Sequence, residues 1–234
     1  MLHSTGANNP YLKRYIGPDD GILGKNQYNN HWNTPYPDGR SVCVHAFIGK
    51  LQNDSIATYQ TLPWNTRAWH CGGTANGTHI SIEICEDNLN DRNYFSQVYK
   101  EAVDLCVVLC KLYAILPSSI ISHKEGYTKG VASNHGDVDY WFTKHGKSMN
   151  TFRSEVELLL NKRNQYVVVK NINGYMTASD AKNRVNRVSM VPPNIYQIYN
   201  KYPNGYDGAL NITRDDTGNT PGTWINTLDN VGGR

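Results

Sequence analysis

Long apolar runs are missing from this 234-residue sequence, and none of its segments approaches the length of a membrane span. The opening residues, Met1-Leu2-His3, also lack the basic and apolar regions of a secretory signal peptide. We therefore predict a protein without membrane insertion. We also expect synthesis in the cytoplasm and, if the protein acts outside the cell, release by a route other than such a leader.

A strong charge of either sign is missing too, because the net charge is only +3. This value is too small to predict nucleic-acid binding. After Leu160, however, 9 Lys and Arg residues accompany 5 Asp and Glu residues. A mildly basic tail suits an anionic polymer or a glycan, although a solvated surface is the more common explanation.

Cysteines are few, odd in number and never spaced as Cys-x-x-Cys. The pattern excludes a disulfide scaffold and a structural zinc knuckle. Cys106 and Cys110 lie four residues apart in an apolar helical run, which predicts buried free thiols.

Hydrophobic periodicity predicts alternating strands and helices up to residue 160, which is typical of an α/β domain. We interpret Leu2-His3-Ser4-Thr5 as the end of a strand without its beginning, so a truncated N-terminus is one interpretation of this start. The other predicted elements are strands at 41–48, 56–62, 78–85 and 120–121, a short helix near 28–32, and helices at 94–116 and 149–160.

The pattern changes after residue 161, where short β-rich segments alternate with Gly and Asn turns. The strands are predicted at 166–170, 195–202 and 223–226, and the turns at Asn173-Gly174, Asn204-Gly205 and 217–219. These features predict a small all-β barrel. We place the boundary near 161–165, with domains at 1–160 and 166–234.

Several residues offer the parts of a hydrolytic zinc centre. Catalytic zinc takes three His, Cys or carboxylate ligands and one water. His3, His123 and Asp137 are candidate ligands. Glu83, in a strongly β-forming run, is a candidate general base, and His135 a candidate donor to an oxyanion. The spacing of these residues alone is weak evidence, because the chain holds eight histidines.

A set of motifs in one order makes the hypothesis specific. The chain resembles the zinc-dependent type-2 N-acetylmuramoyl-L-alanine amidases, the family that includes the peptidoglycan recognition proteins. The matching segments, spread over about 1–145, are Leu2-His3-Ser4-Thr5, Val44-His45-Ala46-Phe47, Asn65-Thr66-Arg67-Ala68-Trp69-His70-Cys71-Gly72, Ser81-Ile82-Glu83-Ile84 and Ser122-His123.

The resemblance implies a central mixed sheet flanked by helices, a zinc ion held by His3 and His123, and Glu83 as the base. Family members use Cys or Asp, usually before Pro, as the third ligand. Here Val138 follows Asp137, so His135 and Asp139 remain alternatives to Asp137. We favour Asp137, which leaves His135 to stabilise the oxyanion.

The implied reaction is hydrolysis of the amide between N-acetylmuramic acid and L-alanine in bacterial peptidoglycan. Candidate substrate contacts are Trp69, His70, His45 and Trp141, with Tyr140 beside them. For the aromatic side chains, ordinary packing is at least as good an explanation. For the two histidines, a structural or groove-lining place is favoured over metal binding.

The tail is similar to SH3-like wall-binding domains of bacterial and phage lysins around Val167–Lys170 and Thr223–Asn226. Together the resemblances imply a phage endolysin or a bacterial autolysin. The main alternative is a peptidoglycan-binding protein without catalysis, since such relatives lose a zinc ligand. A thiol hydrolase using Cys43, Cys71 or Cys85 is disfavoured, because none of these cysteines opens a predicted helix.

Overall fold

The computed structural model of the chain describes the backbone of residues 1–32, 41–163 and 165–230. The chain divides into two compact units, Met1–Val156 and Glu157–Arg234. In the part that is described, none of the helices combines the length and apolar character that crossing a membrane requires.

The first unit contains a four-stranded mixed sheet. Its strands are β1 (Leu2–Ser4), β2 (Ala46–Lys50), β3 (Ile56–Gln60) and β4 (Ile82–Ile84), in the order β1-β4-β2-β3. β4 is parallel to both of its neighbours, whereas β2 and β3 form an antiparallel pair. The mixed α/β sheet agrees with the predicted fold class.

The predicted strand at 41–48 is displaced, because the regular strand begins only at Ala46. Alternation along this segment predicts a strand with Val44 and Ile48 on one face and Phe47 on the other. The structure buries Val44, Phe47 and Ile48 completely, so both faces are covered. A strand that pairs in parallel and is covered on both faces shows no regular alternation of apolar and polar residues. The sequence pattern therefore predicts the ends of this strand poorly.

Four helices accompany the sheet: α1 (Arg92–Tyr113), α2 (His123–Thr128), α3 (Asp137–Lys144) and α4 (Met149–Arg163). α1 packs against β2 and β3, and α3 packs against β1. The predictions for α1 and α4 are confirmed within a few residues. α1 starts where the Asp91 carboxylate accepts the N–H groups of Asn93 and Tyr94, and it ends at Ala114 in the left-handed region.

Two small predictions for this unit are wrong. Residues 28–32 form bends, irregular backbone and a turn rather than a helix, and Asn29 has a positive φ of 50° that a helix does not accept. Residues 120–121 form no regular strand. Only Ser122 bridges to Leu2, and α2 begins at the next residue.

The second unit contains a six-stranded antiparallel sheet and one short helix. The strands are β5 (Gln165–Val168), β6 (Ile172–Tyr175), β7 (Arg187–Val191), β8 (Asn194–Ile198), β9 (Ala209–Thr213) and β10 (Thr223–Asn226), and the helix is α5 (Ala178–Asn183). The strand order is β5-β8-β9-β10-β6-β7. The sheet is open, since the end strands β5 and β7 do not pair within the described residues. The structure therefore does not show the predicted small all-β barrel, and α5 adds a helix that the prediction lacked.

The predicted turns of this unit have different outcomes. Gly205 and Gly218 adopt positive φ values of 77° and 69°, which confirms turns at both places. Asn173-Gly174 lies inside β6, so the hairpin prediction is wrong there. A Cβ on Gly174 would lie 2.3 Å from both Ser189 Oγ and Thr223 Cγ2, so this glycine permits close strand packing instead of a turn.

Candidate metal centre

Strands β1 and β4 place a histidine and a carboxylate on one face of the sheet. His3 pairs with Glu83 in the parallel register, and the residues on either side of each alternate to the opposite face. Both side chains are buried. Two candidate residues that are 80 positions apart in the sequence thus become neighbours through strand pairing.

Helix α2 brings His123 to this face. A capping box begins the helix: Ser122 Oγ accepts the Glu125 N–H, and the Glu125 carboxylate accepts the Ser122 N–H. Arg153 of α4 donates to both oxygens of Glu125 at 2.9 and 3.0 Å. Because Ser122 also bridges to Leu2, the first residue of the helix, His123, lies beside the end of β1.

Helix α3 begins with Asp137, whose φ of 40° lies in the left-handed region. Asp adopts this conformation more readily than most residues, but it still carries some backbone strain. Strain of this kind concentrates at functional sites, where the surrounding structure holds the residue in place.

The three elements bring together three donor atoms. His3 Nδ1 and His123 Nδ1 are 3.1 Å apart, and each lies 2.9 Å from Asp137 Oδ2. A tetrahedral zinc ion with bonds of 2.0–2.1 Å separates its ligand atoms by about 3.4 Å. The observed triangle is slightly tighter, its donor set suits zinc, and it leaves one side for a further ligand.

Burial and hydrogen bonding favour the protonation states that bind a metal. Burial lowers the pKa of His3 to about 4, although Asp137 opposes the shift. Burial tends to raise the pKa of Asp137, but its hydrogen bonds from His123 and His3 outweigh this and hold it below its ordinary value. A neutral imidazole and an ionised carboxylate are the ligand forms of these groups.

Glu83 is a buried carboxylate with an unused oxygen. Its Oε2 atom has no hydrogen-bond partner among the described residues. Burial raises the pKa of Glu83 well above its usual value, and the charges of Asp137 and Glu86 add to the shift. A carboxylate in this setting accepts a proton more readily than an exposed one, as a general base must.

The two alternatives to Asp137 lie differently. His135 is exposed, and its ring stacks on the ring of His123 with the centroids 4.8 Å apart. Asp139 is half-buried, and its Oδ2 has no partner in the described part of the chain. Within that part, the only cluster of three metal-ligating groups is His3, His123 and Asp137.

The residues predicted as substrate contacts are scattered. Trp69 is 48% exposed, with the Arg67 guanidinium 5.0 Å from its ring centre, so it is open to a ligand. Tyr140 is also exposed. Trp141 is completely buried, and its ring lies 5.5 Å from that of Phe95, which is the packing of a core residue.

The two histidines of this group have protein partners. His45 is buried; its Nδ1 accepts the Ser81 N–H at 3.0 Å, and its Nε2 lies 2.9 Å from the Thr66 carbonyl. Both nitrogens are therefore used within the protein. His70 lies against the ligand cluster, with its Nδ1 2.8 Å from His3 Nε2.

Sequence reasoning missed helices α2 and α3, which start at two of the candidate ligands. The motif Ser122-x-x-Glu125 is a capping-box signal and could have predicted a helix from His123. It also missed Asn76 and Ser133, which contact the site through hydrogen bonds. No local pattern in the sequence distinguishes these two residues from loop residues.

The family model described as N-acetylmuramoyl-L-alanine amidase matches residues 1–139, well over half of the chain, and includes all three residues of the cluster. The chain belongs to this amidase family. A solved structure of the Staphylococcus aureus hydrolase AmiA in complex with its ligand is similar at 17% identity and a TM-score of 0.48, covering 68% of this chain and 70% of that one. No curated protein matches the chain significantly.

The cysteines of this amidase-family chain do not have the setting of a nucleophile. All five are free, as the spacing predicts for Cys106 and Cys110, which are both buried. Burial raises the pKa of Cys71 and Cys85, which disfavours the reactive thiolate. The geometry gives a thiol hydrolase no support.

Proposed function

We propose that this chain is a zinc-dependent N-acetylmuramoyl-L-alanine amidase that cleaves bacterial peptidoglycan. The observation that carries the proposal is the convergence of His3 Nδ1, His123 Nδ1 and Asp137 Oδ2 inside the segment matched by the family. A second support is the buried carboxylate of Glu83 on the same face as His3.

In this proposal His3, His123 and Asp137 hold the zinc ion. When bound there, zinc supplies Lewis acidity, which polarises a carbonyl and lowers the pKa of a water. Glu83 takes a proton from the attacking water, whose oxygen bonds to the lactyl carbonyl carbon. The bond from that carbon to the alanine nitrogen then breaks, and Glu83 returns the proton to the leaving amine.

His135 is assigned to charge stabilisation. Its ring is exposed and stacks on His123, so it is accessible to a substrate oxygen while remaining next to a ligand. A donor aimed at the developing oxyanion lowers the barrier of an acyl-transfer reaction. Trp69 is assigned to contact the sugar or the stem peptide, because its ring is half exposed.

The second unit is assigned to wall binding, as an SH3-like domain at 166–234 next to a catalytic domain at 1–160. Its separate compactness and its excess of basic residues support this assignment. A tethered module of this kind raises the effective substrate concentration at the catalytic unit. A phage endolysin or a bacterial autolysin has this organisation.

Digestion of purified peptidoglycan tests the proposal. We expect release of L-alanine amino groups without new reducing sugar ends, loss of the activity with a chelator, and recovery with zinc. Tight wall binding without any release would favour the alternative, a non-catalytic peptidoglycan-binding protein. Activity that resists chelation but is blocked by a thiol reagent would overturn the zinc mechanism.

A further inference from the structure

We propose that one short segment, His70-Cys71, fixes the tautomers of both metal-ligand histidines, and that the side chain of Asn76 holds this segment in place. The inference rests on the proposed metal centre and concerns residues outside the three ligands. It makes His70, Ser133 and Asn76 positioning residues, which act on the metal only through His3 and His123.

Two chains of hydrogen bonds, which we call arms, lead from the ligand histidines to this segment. The first arm joins His3 to His70. When Nδ1 of His3 faces the metal, its proton must be on Nε2, because a neutral imidazole carries only one N–H. That Nε2 lies 2.8 Å from His70 Nδ1, which therefore accepts the hydrogen bond. The proton of His70 is then on its own Nε2, an atom that is buried without a partner in the described residues.

The second arm runs from His123 through Ser133 to Cys71. The Ser133 hydroxyl donates to the Cys71 carbonyl at 2.9 Å. A hydroxyl has a single hydrogen, so towards His123 Nε2, 3.3 Å away, Ser133 Oγ can only accept. When Nδ1 of His123 faces the metal, its proton is consequently on Nε2, where Ser133 Oγ accepts it.

Both arms end on adjacent residues that share one anchor. Asn76 Oδ1 accepts the backbone N–H of His70 at 2.8 Å and that of Cys71 at 3.0 Å. Asn76 is 3% exposed, so its side-chain oxygen is shielded from bulk solvent. The Cys71 carbonyl also accepts the Ser133 N–H at 2.8 Å, which ties the segment to the second arm through the backbone.

The arrangement explains why a half-buried histidine and a buried asparagine lie together behind the cluster. Partners on the far nitrogen of a ligating histidine set its tautomer and ring orientation, and losing them typically costs about 10–100-fold in metal affinity. Here one segment serves both histidines, so a single displacement would misalign two ligands together.

The test measures zinc affinity of the full chain by competition with a chelator, and the ring tautomers by ¹⁵N NMR of the imidazoles. His70→Leu removes the acceptor, whereas His70→Asn keeps an amide oxygen near the position of Nδ1. Ser133→Ala and Ser133→Thr form the same kind of pair. His79→Leu is the control, since that ring bonds the Thr78 hydroxyl instead.

We expect His70→Leu and Ser133→Ala each to weaken zinc binding by about 10–100-fold and to populate the other tautomer of one histidine. His70→Asn and Ser133→Thr should restore most of the loss. Asn76→Ala should disturb both histidines, and Asn76→Asp should disturb them less, because it keeps the accepting oxygen.

Unchanged zinc affinity and unchanged tautomers in His70→Leu and Ser133→Ala would overturn the inference while leaving the metal centre intact. An equal loss in His79→Leu would also overturn it, since the effect would then not be specific to the two arms. A wild-type chain that binds no zinc would instead overturn the metal centre of the proposed function, and with it this role.

Discussion

The two units differ in what they bury. The first unit buries titratable side chains in number, namely His3, His45, Glu83, Glu86, Asp87 and His123. Within the described residues, the buried polar side chains of the second unit are Asn211, Thr213 and Asn226, none of which titrates near neutral pH. The core of the second unit is otherwise apolar, built around side chains such as Ile212 and Ile225.

The difference indicates where chemistry is performed. Burying an ionisable group costs free energy unless it is paired, so a cluster of such groups persists where function requires it. The first unit carries that cost around one face of its sheet. Among its described residues, the second unit buries no His, Asp or Glu side chain.

Removing the shared carboxylate should have the largest effect. In Asp137→Ala we expect zinc binding and peptidoglycan hydrolysis to be lost, because both histidine nitrogens lie 2.9 Å from Asp137 Oδ2. Asp139→Ala is the matched control on the same helix and should retain both properties. Mass spectrometry measures the zinc content, and amine release measures the hydrolysis. Loss of both properties in Asp139→Ala but not in Asp137→Ala would make Asp139 the third ligand.

Neutralising the buried base should separate binding from catalysis. Glu83→Gln preserves size, so we expect zinc to remain while turnover falls by about 10²–10⁴-fold. Glu86→Gln provides a buried control, because that carboxylate accepts the Ser4 hydroxyl instead. Measurements of zinc content and of the rate of amine release test whether Glu83→Gln keeps the metal but loses turnover. Full turnover in Glu83→Gln would remove Glu83 from the mechanism.

A cavity in the apolar core of the second unit should destabilise that unit and leave the metal centre of the first unit unaffected. Ile225 is completely buried, so Ile225→Ala should lower the free energy of unfolding of this unit by about 2–5 kcal/mol. Zinc affinity of the first unit should stay unchanged. Urea unfolding followed by hydrogen exchange on residues 209–213 reports on the unit, and Ile195→Ala, at an exposed position, serves as control. A matching loss of zinc affinity would show that the units depend on each other.

The smallest effect concerns an open turn of the second unit. The Thr217 hydroxyl and N–H, together with the Thr220 N–H, hold the pKa of Asp215 below its ordinary value of 3.8. Because the folded pKa is lowered, the stabilisation is present above pH 3.8 and is lost as pH falls through the folded value. We expect the amide shifts of Asn219 and Thr220 to stay constant from pH 8 to 5 and to move below pH 4. In Asp215→Asn this movement should be absent.

Much of the candidate site could be predicted from the sequence because its signals are local. His3 and Glu83 lie in short β-forming segments, and Pro117 follows the long apolar run of α1. The motif order then suggested which distant residues belong together. The structure places His3, His123 and Asp137 within hydrogen-bond distance of one another.

Other features could not be predicted, since they depend on contacts between distant segments. Gly174 resembles a turn residue next to Asn173, yet strand packing against Ser189 and Thr223 is what requires it. Trp141 follows exposed Tyr140 on the same helix, and only the packing against Phe95 decides that Trp141 is buried.

By itself, the sequence determined the principal helix, the types of residue that can bind a metal, and the family motifs, because each depends on neighbouring residues or on residue chemistry. Only the tertiary structure decided which nitrogen of each histidine faces Asp137, and that His70, Ser133 and Asn76 stand behind the ligands. Hydrogen-bond direction depends on which donors and acceptors become neighbours in the fold. The local sequence around a residue does not indicate which distant residue becomes its partner.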